Sequence, residues 1–204
     1  MRILIEVPTY SGAMEPETAE SLWALDRCGH DVDLTVRHGY GVAMARNRIA
    51  DHAIDGGYDW LLAVDADVAL PPDALRNLLE HDADVCLGYY RNRWSTDADP
   101  KTCLIPLGSA WTARMSAGEL RDMRAAGTYT LRVNGGGLGC ALIRPRVFER
   151  IPFPWFVWHD WDHHAKSLGE DVDFCIKVGK AGIPIYADTR VACGHKFRRL
   201  VGAD

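Results

Sequence analysis

Four strand-like runs, separated by three stretches of helical period, constrain the first 90 residues of the chain more than any other feature. RILIEVP (2–8) is almost wholly apolar and closed by a proline, as a strand buried in a mainly parallel sheet must be. Residues 16 to 29 carry Ala19, Leu22, Trp23 and Leu25 at helical spacing and stop at Gly29, and DVDLTV follows as a second strand. VAMARNRIADHAIDGG sets Val42, Ala45, Ile49, Ala53 and Ile54 on one helical stripe, ends on paired glycines and leads into a third strand, DWLLAVDADV. Pro71 and Pro72 then open a helix, PPDALRNLLEH, before DADVCLGYY as the fourth strand. This alternation predicts an α/β fold with a doubly wound, mainly parallel or mixed sheet, its nucleotide-binding half spanning 1–90.

The rest of the chain is less regular, with strands expected at Thr102–Ile105, Tyr129–Val133 and Leu138–Ile143 between glycine-rich loops. A length of 204 residues suits a single domain over 1–204. Hydrophobic residues at 48% and charged residues at 25% exclude a disordered chain. No apolar run approaches the ~20 residues of a membrane-crossing helix, and Glu6 interrupts any N-terminal signal, so a cytoplasmic protein is expected. Cys28, Cys86, Cys103, Cys140, Cys175 and Cys193 form no CxxC pair and are expected as reduced core residues. A net charge of -5 argues against broad capture of nucleic acid. Two local basic clusters, Arg91 with Arg93 and Lys196 with Arg198 and Arg199, are either solvated charge or places to meet a phosphate.

Asp65 and Asp67 flank one alanine at the carboxyl end of the third strand, where open α/β sheets bind ligands. Side chains two apart on a strand share a face, so both carboxylates can turn toward one hard cation, Mg²⁺ or Mn²⁺. Such a cation bridges diphosphate oxygens and offsets the charge growing on a departing nucleoside diphosphate. The competing reading is a capped turn, with Asp67 or Asp73 serving the following helix.

The order VPTY, ARNRIAD, VDADV, GGGLGCALIRP, GEDVDFC and a late CGH resembles the GT-A fold glycosyltransferases, in particular the family 2-like bacterial and phage members with a DxD motif, over nearly the whole chain. The resemblance implies a GT-A domain whose 91–204 half carries the acceptor and catalytic groups. It implies a base and ribose pocket at Pro8, Thr9 and Tyr10, with Arg46 and Asn47 on the helix nearest the nucleotide, although each could be an ordinary loop or surface residue. It assigns Asp171, beside Glu170, as catalytic base; the alternative is routine acidic charge at a helix start over Val172–Lys180. The helix N-terminus is expected to lower the pKa of Asp171 and leave it a weak base. Asp173 is expected to belong to the helix. The resemblance also implies that His195 completes a metal set with Asp65 and Asp67, where its nitrogen would favour Mn²⁺ over Mg²⁺; otherwise it is a packed or surface histidine. Gly136 and Gly137 correspond to the wall of the donor-sugar and acceptor site, or else to a flexible hairpin; GGGLG precedes a strand and is no phosphate loop.

Donors implied are UDP-sugars first and GDP-sugars second. The acidic residue with which many relatives read the base is replaced here by Arg37, His38 and Gly39. The acceptor is open: a glycan, a small molecule, a protein or a modified phage DNA base. The segment PFPWFVWHDWDHHAKS (152–167) is expected to bind acceptor or close as a lid, against simple packing or a structural zinc site. Two rival functions are a nucleotidyltransferase, disfavoured because VPTYSGAMEPE has no basic residue, and a non-catalytic sugar- or nucleotide-binding module.

Overall fold

A computed structural model describes residues 1–93, 95–98, 100–159 and 168–196. In chain order the elements are β1 (Arg2–Thr9), α1 (Pro16–Ala24), β2 (Asp31–His38), α2 (Val42–Asp55), β3 (Trp60–Val64), β4 (Val68–Ala69), α3 (Ala74–Leu79), β5 (Val85–Tyr89), β6 (Ile105–Pro106), α4 (Ala117–Ala125), β7 (Thr130–Gly135), β8 (Cys140–Ile143), α5 (Arg146–Arg150), α6 (Glu170–Lys180), β9 (Ile185–Ala192) and β10 (Gly194–His195). The large sheet runs β2-β1-β3-β8-β5-β9-β7-β6, and β10 pairs with β4 in a small second sheet. β1 lies parallel to β2 and β3, and β5 parallel to β9, while β8 runs antiparallel between β3 and β5. The sheet is thus mixed and mainly parallel.

Burial follows from composition. β3 and β5 are buried at every residue, as strands covered by helices on both faces must be. β2, at the sheet edge, alternates and leaves Leu34 and Val36 exposed. Trp60, Phe148 and Phe174 are among the largest fully buried side chains, each contributing about 1.5–3 kcal/mol through burial. α2 turns Ala45, Arg46, Ile49, Ala50 and Ala53 inward, a stripe of small and apolar residues that lets the helix lie close on the sheet and carries one arginine inside with it.

Several expectations change in detail. The first helix ends at Ala24, with Leu25 extended, and Trp23 stands in solvent because Leu22 and Leu25 alone reach the core. The strand expected at Thr102–Ile105 is reduced to β6 plus isolated bridges at Arg91–Thr102 and Lys101–Ser116. Cys86, Cys103, Cys140 and Cys175 are buried; Cys28, in a left-handed turn, and Cys193 are partly exposed and lie outside the core proper. Among the described residues no helix is long and apolar enough to cross a membrane.

This topology gathers one edge of the sheet. The carboxyl ends of the parallel strands β1, β3 and β5 bring Thr9, Asp65 and Tyr90 there. Because β8 is antiparallel, its start comes to the same edge, and the Asp65 N–H donates to the Gly139 carbonyl at 3.1 Å. The pairing of His195 with Val68 across β10 and β4 carries the histidine to the residue next to Asp67.

Candidate active site

A buried arginine organises the site. Arg46, in the first turns of α2 and only 3% exposed, donates from Nη2 to Asp65 Oδ1 at 2.6 Å and from Nε to Glu170 Oε1 at 3.2 Å. Burial alone would favour a neutral guanidine, but Asp65, Glu170 and Asp171 outweigh it and hold the cation well above its ordinary pKa. One charge therefore ties the end of β3 to the start of α6 and leaves the third carboxylate without a direct bond to it.

That third carboxylate is Asp171. Burial first, and the neighbouring Glu170 charge second, push it up to about 6, while Arg46 and the Val172 N–H, 2.7 Å from its Oδ1, pull the other way. The expectation of a lowered pKa is thus corrected: the helix N-terminus is outweighed by desolvation and like charge. A carboxylate titrating near 6 is ionised at neutral pH yet more basic than an ordinary one, which suits proton abstraction from a hydroxyl. Asp173 faces away, accepting from the Val157 N–H, His159 Nε2 and Lys177 Nζ, the structural role expected of it.

Asp67 and His195 form a second pair, Oδ2 to Nε2 3.5 Å, with Arg93 Nη2 donating to the same Oδ2 at 3.1 Å. His195 Nδ1 lies 2.7 Å from the Arg91 carbonyl, an acceptor only, so Nδ1 carries the proton and the lone pair of the neutral ring sits on Nε2, on the Asp67 side. Burial opposes charge on both groups, yet their mutual pairing wins: Asp67 is held below and His195 above its usual range. One oxygen and one nitrogen at this separation can share a divalent cation bound at ~2.1 Å to each. Asp65, the third expected ligand, is engaged by Arg46, and among the described residues no group of three His, Cys, Asp or Glu is gathered for a metal. The donor set fits a cation with two protein ligands and further oxygens from a bound molecule. Asp73 stands at the N-cap of α3 without a side-chain cap bond, so a capped turn does not account for this acidic pair.

Two cavities open beside these groups. The first, about 500 Å³, runs from Pro8, Thr9 and Tyr10 past Arg46 to Asp67. The second, about 460 Å³, is lined by Tyr90, Arg114, Gly136, Gly137, Trp158 and His195 among others. They share Val42, Asp65, Arg93, Glu170 and Asp171, so three carboxylates stand at their junction.

Of the residues singled out from sequence, Pro8 and Thr9 are buried at the end of β1, Thr9 Oγ1 accepting from the Gly12 N–H at 2.7 Å, and Tyr10 is 84% exposed at the cavity mouth. Asn47 is elsewhere: Nδ2 donates to the carbonyls of Ala43 and Phe156, both 2.8 Å, and Oδ1 accepts from the N–H groups of Trp155 and Phe156. It lines neither cavity and instead clasps α2 to the following segment. Gly136 and Gly137 do line the second cavity, and a Cβ on Gly137 would lie 2.1 Å from Tyr90 Oη, so close packing of Tyr90 already demands a glycine there. Of the aromatic segment, Trp155 and Phe156 are core, while Trp158 is half exposed on the second cavity; Asp160, Trp161, Asp162, His163 and His164 lie outside the described residues, as do Arg198 and Arg199.

Sequence reasoning passed over Tyr90, which donates no charge but packs edge-on against His195 at 4.9 Å between ring centres, and Arg114. Arg93 was visible only as half of a basic cluster. The cue for Tyr90 is its position at the end of a buried strand that lies parallel to β1 and β3.

No protein-family model matches the chain, and no curated protein matches it. Solved structures do. The crystal structure of A197 from STIV superposes with a TM-score of 0.63 at 21% identity, covering 97% of this chain and 87% of that one. GalNAc-T7, solved with UDP, GalNAc and Mn²⁺, gives 0.63 at 14% identity over 97% of this chain and 43% of its own. Residues 1–349 of S. aureus TarS, solved with UDP-GlcNAc, give 0.53 at 17% identity over 98% and 60%. The chain spans less than two thirds of the latter two. At these identities the likeness concerns the backbone, and it establishes that the chain has the fold of GT-A glycosyltransferases.

Proposed function

We propose that the chain is a metal-dependent glycosyltransferase, family 2-like in its motifs, that moves a sugar from a nucleoside-diphosphate sugar onto an acceptor hydroxyl with inversion. The observation that carries this is the junction: Asp171 stands where the two cavities meet, so a sugar in one and a hydroxyl in the other would both be in its reach.

The donor occupies the first cavity, its base near Tyr10 and its ribose and sugar near Asp65, which Arg46 holds in place. UDP is the favoured nucleotide, since two neighbours of the same fold were solved with UDP or UDP-GlcNAc; GDP is second. A cation, Mn²⁺ before Mg²⁺, would be held by Asp67 and His195 and would neutralise the diphosphate as it leaves. Arg93, bonded to Asp67, stands ready to add a second positive charge on that side. The acceptor lies in the second cavity, and Asp171 takes the proton from its attacking hydroxyl. Glu170, fixed by Arg46, keeps the neighbouring charge that raises the basicity of Asp171.

The test is calorimetric titration of UDP, GDP, CDP and dTDP, each with and without Mn²⁺. The expected result is one nucleoside diphosphate bound only with metal, the binding lost in Asp67→Ala. Absence of binding under every condition refutes the reading.

A further inference from the structure

The second cavity is lined by charges of both signs. Asp65, Glu170 and Asp171 are there, with Arg93 and with Arg114 from the loop between β6 and α4. Arg114 is absent from the first cavity, where the base, ribose and sugar of the donor are placed. Its Nη1 donates to the carbonyls of Trp111 and Ala113, 2.8 Å each, which pins the guanidinium to its own loop. No carboxylate pairs with it among the described residues, whereas Arg46, Arg91 and Arg93 each face an aspartate. Nε and Nη2 are left with no protein partner there. A pinned, partly buried guanidinium with a spare N–H edge on a cavity is built to receive a planar or tetrahedral oxyanion through paired hydrogen bonds, at little cost in side-chain entropy. Half-exposed Trp158, on the same cavity, offers an indole face of the kind that stacks on a sugar ring.

We infer that the acceptor is anionic: a sugar-sized molecule carrying a carboxylate or phosphate group that Arg114 binds while its hydroxyl is turned to Asp171. This rests on the reading of the second cavity as the acceptor site. The carboxylates repel the anion and Arg114 attracts it, which favours an acceptor bound with its charged group on Arg114 and its hydroxyl toward Asp171.

The test uses protein saturated with UDP and Mn²⁺, titrated with sodium acetate and, separately, sodium sulfate to tens of millimolar at constant ionic strength. The thermal midpoint is followed for wild type and Arg114→Gln. A saturating rise of about 2 °C or more in wild type, absent in the variant, is expected for at least one anion. Acetate alone points to a carboxylate acceptor and sulfate alone to a phosphate. A wild-type response that never saturates, or one that persists in Arg114→Gln, overturns the inference. Because the wild-type curve is decisive by itself, poor folding of the variant does not rescue it. Failure of UDP, GDP, CDP and dTDP alike to bind would refute the glycosyltransferase reading instead, so the two failures are told apart.

Discussion

Arg46 Nη2 and Asp65 Oδ1 lie 2.6 Å apart inside the protein, and the same guanidinium reaches Glu170, so two carboxylates from distant parts of the chain depend on one buried charge. Removing that charge strands both. Arg46→Met is expected to lose about 3–5 kcal/mol of stability, the usual result of breaking a buried pair from one side. Arg46→Lys should lose less but not recover fully, since an ammonium lacks the planar fork that serves both partners. Urea denaturation of the three proteins checks this; equal stability of wild type and Arg46→Met would mean the bridge is not formed.

Asp171 gives a prediction in which activity and stability move oppositely. Its folded pKa, about 6, lies above the ordinary aspartate value. The unfolded chain therefore loses this proton at lower pH than the folded chain does, and the group costs stability as pH rises toward 6, the cost being constant above. Asp171→Asn removes it. The variant should equal wild type near pH 4 and exceed it in thermal midpoint at pH 7.5, while transfer is lost and UDP affinity is kept. In wild type, kcat should fall as pH drops below about 6, where the base becomes protonated. Undiminished turnover in Asp171→Asn would remove it from the mechanism.

The alternating strands and helices of residues 1–90 were legible in the sequence because their signals are local. Buried runs such as Trp60–Val64 and the stripe of α2 need only period and punctuation to be read. The second cavity was not, because its walls come from pairings that span the chain: β8 inserts between β3 and β5 from about eighty residues away from the former. Tyr90, at the end of β5, gains its place through that insertion, and Arg114 through the backbone bonds of Met115 to Thr102 and Leu104. Ser116 and Glu119 form a capping box at the start of α4, a local signal that was present in the letters and would have marked that helix. Asn47 shows the limit of adjacency: next to Arg46 in sequence, it points about a quarter turn away and bonds the backbone of Ala43, Trp155 and Phe156.

Asn47 is therefore expected to matter for folding and not for the donor. Asn47→Ala strips partners from the backbone of Ala43, Trp155 and Phe156 and should cost about 2–3 kcal/mol. The affinity for UDP with Mn²⁺ should stay within about twofold of wild type, since the side chain lines neither cavity. A larger loss of affinity in the folded variant would return Asn47 to the donor site.

Two glycines separate packing from chemistry. At Gly137 an added Cβ would meet Tyr90 Oη at 2.1 Å, and Tyr90 is buried and held by the Gly139 N–H, so Gly137→Ala should destabilise by about 1–3 kcal/mol. At Gly169 the added Cβ would meet Asp171 Oδ1 at 2.8 Å, with backbone dihedrals of -64° and 155° that alanine adopts freely. The carboxylate can rotate aside, so the fold should barely notice. The proposed base, however, leaves its position, and a displacement of ~1 Å can cost about a hundredfold in rate. Gly169→Ala should accordingly keep the wild-type thermal midpoint and UDP affinity while kcat drops at least tenfold. A variant with normal kcat would show that the position of Asp171 is not critical, and with it that Asp171 is not the base.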